Sequence, residues 1–257
     1  MPAIDLDGMK IYYATKGNGS RNIVFLHGMN CSRHNWGKAI GALSDEYRVF
    51  APNLNRSGQP REGYTPPAVA DAISGFVEAL ALGKVTLVGH SFGGLTALYF
   101  ALLHPDQLDQ LVLVSTGATL KGHNILTEDT LPRIRKTPRT REFVESLVGS
   151  FFYRKPPEPE FRLYIDDAMQ NRKKYMVQAI AFALGVDLTD ELKHVKAKTL
   201  VVYGLMDPLV KLEHAQSLNN GIASSRLALI EEAGHLPMVE QPDLFNTALL
   251  DFLAQRD

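Results

Sequence analysis

Ser91 stands at the centre of the most informative stretch of the chain. An apolar run, Val85-Thr86-Leu87-Val88, leads into Gly89-His90-Ser91-Phe92-Gly93-Gly94 and out into Leu95-Thr96-Ala97-Leu98-Tyr99-Phe100. Read as strand, tight turn and helix, this spacing puts a serine hydroxyl at a sharp bend where Gly89 and Gly93 leave room for the backbone. The helix that follows offers free N–H groups and the positive end of its dipole where negative charge develops. A serine hydroxyl is nevertheless a weak nucleophile until a base takes its proton, and that base needs a third group to orient it.

Eight histidines could supply the base. His27 and His90 flank apparent strand ends, and His104 closes a helical pattern before Pro105. His34, His123, His194 and His214 lie in polar stretches and read as surface or already satisfied side chains. His235 is different: Glu232-Ala233-Gly234-His235-Leu236-Pro237 is a glycine-containing loop between the last strand-like run and the last helical one. An imidazole there can swing toward a site, so His235 is the candidate base. For the orienting acid, Asp207 follows a strand-like run in Gly204-Leu205-Met206-Asp207-Pro208. The preceding strand ends in Ser115-Thr116-Gly117-Ala118, which offers no rival carboxylate. Two backbone N–H donors for an oxyanion are expected, one at Phe92 and one at Met29 in Phe25-Leu26-His27-Gly28-Met29-Asn30.

These residues need strands to deliver them and helices to hold the strands apart. Strand-like runs fall at 11–15, 23–27, 48–52, 85–89, 111–115, 199–203 and 226–231. Most are Val, Ile and Leu without strict alternation, as in parallel strands covered on both faces. Helical patterns lie between them, notably at 66–82, 91–104 and 243–255. The β pattern stops from about residue 118 to 190, where charged, helix-permissive sequence takes over, broken by Pro156-Pro157-Glu158-Pro159. A structureless loop of that length does not suit a compact domain, so an inserted helical lid is expected. The core is therefore divided into residues 1–117 and 191–257, with the cap at 118–190.

Composition narrows the classes further. With 257 residues, 45% of them hydrophobic, the chain can bury a sizeable core. A net charge of -1 argues against general nucleic-acid binding. One cysteine, Cys31, excludes an intrachain disulfide and suits a reducing compartment. The N-terminal Met1-Pro2-Ala3-Ile4-Asp5-Leu6-Asp7 has no secretory character, and no apolar stretch reaches membrane-spanning length. A cytoplasmic location is expected. The sequence contains neither a metal-ligand spacing nor a phosphate-binding Gly-Lys-Ser/Thr loop, so no cofactor is implied.

Together, His27-Gly28 with Trp36 downstream, the Gly89-His90-Ser91-Phe92-Gly93-Gly94 elbow, the run from Thr199 to Gly204 before Asp207, and Gly234-His235 near the C-terminus resemble the α/β-hydrolase fold family. The order Ser91, Asp207, His235 is the one expected for that fold. The resemblance implies a sheet of about eight mostly parallel strands, an inserted helical cap, a catalytic triad of Ser91, Asp207 and His235, and an oxyanion hole at Met29 and Phe92. His27, Gly28 and Trp36 are expected on the substrate side. Where relatives usually read Pro-Asp-Leu-Arg-Gly-His-Gly, this chain has Pro52-Asn53-Leu54-Asn55-Arg56-Ser57-Gly58. The acid, arginine and histidine that support the oxyanion region in the family are all replaced.

The function this implies is a serine hydrolase acting on a small, largely apolar carboxylic ester or lactone, as a monomer or homodimer without a membrane partner. Carbon–carbon hydrolysis of ring-fission products, perhydrolysis and slow-turnover ligand reception use the same three residues and stay open as alternatives. Cys31 reads as a small buried residue. Arg133, Arg135, Lys136, Arg139 and Arg141 form a cationic run without an acid. It reads as a solvated lid face, with a docking surface for an anionic or carrier-bound substrate as the sharper alternative. Phe143, Phe151, Phe152, Tyr153, Phe161, Tyr164 and Phe182 are expected to pack the cap onto the sheet, a few of them lining an apolar pocket.

Overall fold

Eight strands form one sheet in the order β1-β2-β4-β3-β5-β6-β7-β8. A computed structural model describes residues 1–6, 8–54, 57, 58, 60, 62–119, 121 and 129–255. The strands are β1 (Ala3–Leu6), β2 (Met9–Lys16), β3 (Arg21–Leu26), β4 (Tyr47–Pro52), β5 (Val85–His90), β6 (Leu108–Val114), β7 (Lys198–Gly204) and β8 (Ser225–Ile230). β1 and β2 pair antiparallel, as do β2 and β4, and every other pairing is parallel. Burial follows from that difference. Every residue of β5 is buried, whereas β2 near the edge alternates. The sequence predicts seven of these strands to within a few residues. It does not predict β1, a short, half-exposed edge strand that turns into β2 through Gly8 at φ 89°.

The helices of the core are α1 (Gly37–Leu43), α2 (Pro66–Ala79) and α3 (Phe92–Leu103). Between β6 and β7 come α4 (Thr130–Lys136), α5 (Arg141–Gly149), α6 (Glu158–Met169) and α7 (Lys173–Ala183). The C-terminal part adds α8 (Leu212–Gly221), α9 (Pro237–Glu240) and α10 (Pro242–Ala254). The sheet core packs Trp36, which is fully buried, against Phe25 at 4.9 Å and Phe245 at 6.1 Å between ring centroids. Among the described residues, no helix is long and apolar enough to cross a membrane.

Near its two ends the stretch between β6 and β7 is tied together by main-chain contacts. Thr119 and Asp187 form an isolated antiparallel bridge, and the Leu188 N–H donates to the Ala118 carbonyl at 2.9 Å. These contacts join residues near the two ends of the stretch at 118–190 for which a cap is expected.

Strand order also places the site. From β3 the chain turns to one side to make β4, then crosses back to make β5 on the other side of β3. Neighbouring strands whose connections leave in opposite directions open a crevice at their carboxyl ends, where ligands of open α/β sheets bind. Leu26 pairs with Gly89 across that crevice, so the residues after β3 and β5 emerge side by side.

Candidate active site

Ser91 follows β5 and caps α3 with φ 53° and ψ -117°, a region that a residue with a Cβ rarely occupies. The surroundings hold it there. Its N–H donates to the Val114 carbonyl at 2.9 Å, while its own carbonyl accepts from the Leu95 N–H at 3.0 Å and the Thr116 hydroxyl at 2.9 Å. The turn is too tight for side chains on either flank. A Cβ on Gly89 would lie 2.3 Å from the Gly93 carbonyl oxygen, and one on Gly93 would lie 2.4 Å from that of Leu26.

Asp207 and His235 come from the loops after β7 and β8. Those loops touch backbone to backbone: the Met206 N–H donates to the Ala233 carbonyl at 2.9 Å, and a Cβ on Gly204 would lie 2.2 Å from the Gly234 oxygen. His235 Nδ1–H donates to Asp207 Oδ2 at 2.9 Å, with both side chains almost wholly buried. The other carboxylate oxygen accepts from the Leu209 and Val210 N–H groups at 2.8 and 3.0 Å. This fixes the Asp207 carboxylate and gives His235 the tautomer whose Nε2 is free to accept a proton.

Two further contacts hold the His235 backbone. Its N–H donates to the Phe151 carbonyl from the helical insertion at 2.9 Å, and His90 Nε2–H donates to its carbonyl at 2.8 Å. His90 is fully buried, and burial lowers its pKa well below the usual imidazole value. It is a neutral strut beneath the base.

Ser91 and His235 line one cavity of about 370 Å³ with Met29, Asn30, Phe92 and Leu95. The insertion contributes Phe143, Leu147, Phe151, Met176 and Ile180 to its walls. The Met29 and Phe92 N–H groups have no hydrogen-bond partner among the described residues. Gly28 allows the first of these to come near: its hypothetical Cβ would lie 3.1 Å from the Ser91 Cβ and 2.7 Å from His90 Nδ1.

Three residues expected beside the substrate sit elsewhere. Trp36 is a core residue, closed off by Phe25, Phe245 and an edge contact with His90, and does not reach the cavity wall. His27 and Gly28 lie behind the wall. His27 Nδ1–H donates to the Gly28 carbonyl at 2.8 Å and its Nε2 accepts from the Leu54 N–H at 3.0 Å, which makes it a brace for the Met29 turn. Burial pushes its pKa down to about 4, so it is neutral. The Leu54 contact also answers part of the loop departure at 52–58. A main-chain donor supports this turn, although Asn55 and Arg56 fall outside the described residues, as does His123. Cys31 is buried, and burial pushes its thiol pKa up to about 12.

Sequence reasoning missed the seam between the Met29 loop and the insertion. Arg139 donates through Nη2 to Asn30 Oδ1 at 2.7 Å and to the Ala168 carbonyl at 2.6 Å. Asp167, buried on α6, accepts from the Ser32 hydroxyl and from His34 Nδ1, each at 2.5 Å. His34 is thus part of a built contact. Asn30 itself has φ 57°. On the opposite side, Tyr64 stacks between Phe92 at 5.3 Å and Tyr175 of α7 at 4.7 Å. No local motif announces partners more than a hundred residues apart.

The sequence profile of the alpha/beta hydrolase fold matches residues 21–242. The chain belongs to the α/β hydrolase fold family. As a member, it is 30% identical to 2-hydroxy-6-oxo-6-phenylhexa-2,4-dienoate hydrolase of Comamonas testosteroni, over 98% of this chain and 94% of that protein. It is 26% identical to pimeloyl-[acyl-carrier protein] methyl ester esterase of Vibrio cholerae, over 95% and 98%. Among solved structures, the esterase from Exiguobacterium antarcticum superposes with a TM-score of 0.89 at 25% identity, covering 97% of both chains. The eight-stranded, mostly parallel sheet is the architecture the resemblance implies.

Proposed function

We propose that this α/β hydrolase is a serine hydrolase that cleaves a small, largely apolar carboxylic ester or lactone. The observation that carries the reading is one cavity holding a strained Ser91, a His235 oriented by Asp207, and the unpaired Met29 and Phe92 amides. In this reading His235 Nε2 takes the Ser91 proton as the oxygen attacks the carbonyl carbon. The two amides receive the oxyanion, and Asp207 stabilises the imidazolium. Collapse breaks the ester bond, His235 returns the proton to the leaving alkoxide, and an acyl group remains on Ser91. Water, deprotonated by His235, then releases the acid.

A second reading is carbon–carbon hydrolysis, supported by the 30% identity to a dienoate hydrolase over nearly the whole of both chains. There the nucleophile attacks a ketone and the leaving group is a stabilised carbanion.

Release of nitrophenol from acetate, butyrate, octanoate and laurate esters tests the first reading, with Ser91→Ala beside the unaltered protein. Activity on a short or medium chain that disappears in the variant is expected. A folded protein inactive on every ester contradicts it, and loss of the chromophore of a 2-hydroxy-6-oxo-dienoate then becomes the assay for the second reading.

A further inference from the structure

The face that α4 turns to the cavity is polar, although most of the wall is not. Thr130, Arg133 and Ile134 of α4 line the cavity at the i, i+3, i+4 spacing of one helix face, and Thr137, the extended residue that caps the helix, lines it too. Arg133, Arg135 and Lys136 of the same cationic run are all exposed, but of the three only Arg133 lines the cavity. The run therefore divides: Arg135 and Lys136 lie away from the cavity, Arg139 bonds to Asn30 at the seam, and Arg133 is an exposed residue that also lines the cavity. From α5 come Phe143, Ser146, Leu147 and the cap residue Ser150. Among the described residues, Arg133 and His235 are the only basic side chains lining the cavity, and no carboxylate lines it. The Arg133 guanidinium makes no ion pair or hydrogen bond among the described residues.

A solvent-exposed guanidinium at the edge of an apolar wall, with no ion-pair partner among the described residues, is a fork of donors that fits a carboxylate, and its attraction is screened by salt. We propose that Arg133 is a specificity-determining residue that selects substrates bearing a carboxylate remote from the scissile carbonyl. This rests on the serine hydrolase reading of the same cavity and names its substrate class: half-esters of dicarboxylic acids or lactones of comparable charge. The apolar wall of Phe143, Leu147, Met176 and Ile180 takes the chain between the two ends.

The test compares the nitrophenyl half-ester of adipic acid with the neutral nitrophenyl hexanoate, nearly equal in length. The ratio of kcat/KM for the anion to that for the neutral ester is measured in the unaltered protein, Arg133→Gln and Arg133→Lys. A ratio of about threefold or more is expected in the unaltered protein, expressed mainly in KM and shrinking at high salt. It should fall to near one in Arg133→Gln and be partly retained in Arg133→Lys. An equal ratio in the unaltered protein and Arg133→Gln overturns the proposal. Calorimetric titration of Ser91→Ala with adipate and with hexanoate supplies a readout independent of turnover. Tighter binding of adipate that is lost when Arg133→Gln is added supports the subsite, and equal binding of the two acids overturns it. If neither ester is hydrolysed while adipate still binds through Arg133, the hydrolase reading fails and the anion site stands.

Discussion

At Ser91 the backbone is strained, and each neighbour of the side chain has a separate task. The positive φ costs of order 1–3 kcal/mol, and the fixed partners at Val114 and Thr116 hold the residue there. Ser91→Ala should keep that geometry and lower turnover about a thousandfold or more, and His235→Ala should do the same. Steady-state kinetics beside matched melting curves checks both; activity within tenfold of the unaltered protein contradicts the assignment. His27 and His90 make a second prediction, for stability. Both are buried and neutral with depressed pKa values, His27 at about 4. The unfolded chain binds protons at these sites near pH 6.5 and the folded chain does not. Their contribution is thus fully present above about pH 6.5 and is lost as pH falls toward about 4, costing about 3 kcal/mol for His27 alone. Urea unfolding should show a midpoint that falls steadily below about pH 6.5; a flat midpoint down to about pH 4.5 contradicts it.

Among the elements, the loop after β3 is held from two sides, by His27 beneath and by the helical insertion above. If that loop presents the Met29 N–H to an oxyanion, loosening the seam should misplace a donor rather than weaken substrate binding. Arg139→Ala is expected to lower kcat about tenfold or more with a smaller change in KM, and Arg139→Lys to recover part of the loss. An effect confined to KM would show that the seam shapes the pocket only. The contrast between site and seam explains what was legible in the sequence. Ser91, Asp207 and His235 each hang on the end of a strand, so a motif plus a strand pattern locates them. Trp36 was misplaced because its burial depends on Phe245, far away in the chain. The Arg139–Asn30 and Asp167–Ser32 contacts depend on how the insertion folds back, which helical periodicity alone does not fix. The bounds of α4 to α7 were unreadable for the same reason: charged, proline-broken sequence is compatible with several helix starts.

For the molecule as a whole, the parallel sheet supplies a fixed crevice and the insertion sets the size of the space above it. At about 370 Å³ the cavity is near the small end for ligand sites. Nitrophenyl esters should accordingly show an optimum at short or medium chains and fall off at laurate. Phe143→Ala, which removes a ring from the insertion's wall, should move that optimum toward longer chains, as read from kcat/KM across the series. An unchanged profile contradicts the assignment of the insertion as the measure of length. Beneath each of these effects lies the claim that Ser91 forms a covalent bond to substrate within this crevice. Intact-protein mass spectrometry after treatment with a fluorophosphonate, followed by peptide mapping, tests it most directly. A single adduct on the Ser91 peptide is predicted, absent in Ser91→Ala and formed far more slowly in His235→Ala. A folded protein that stays unlabelled, or one labelled at another residue, contradicts the account.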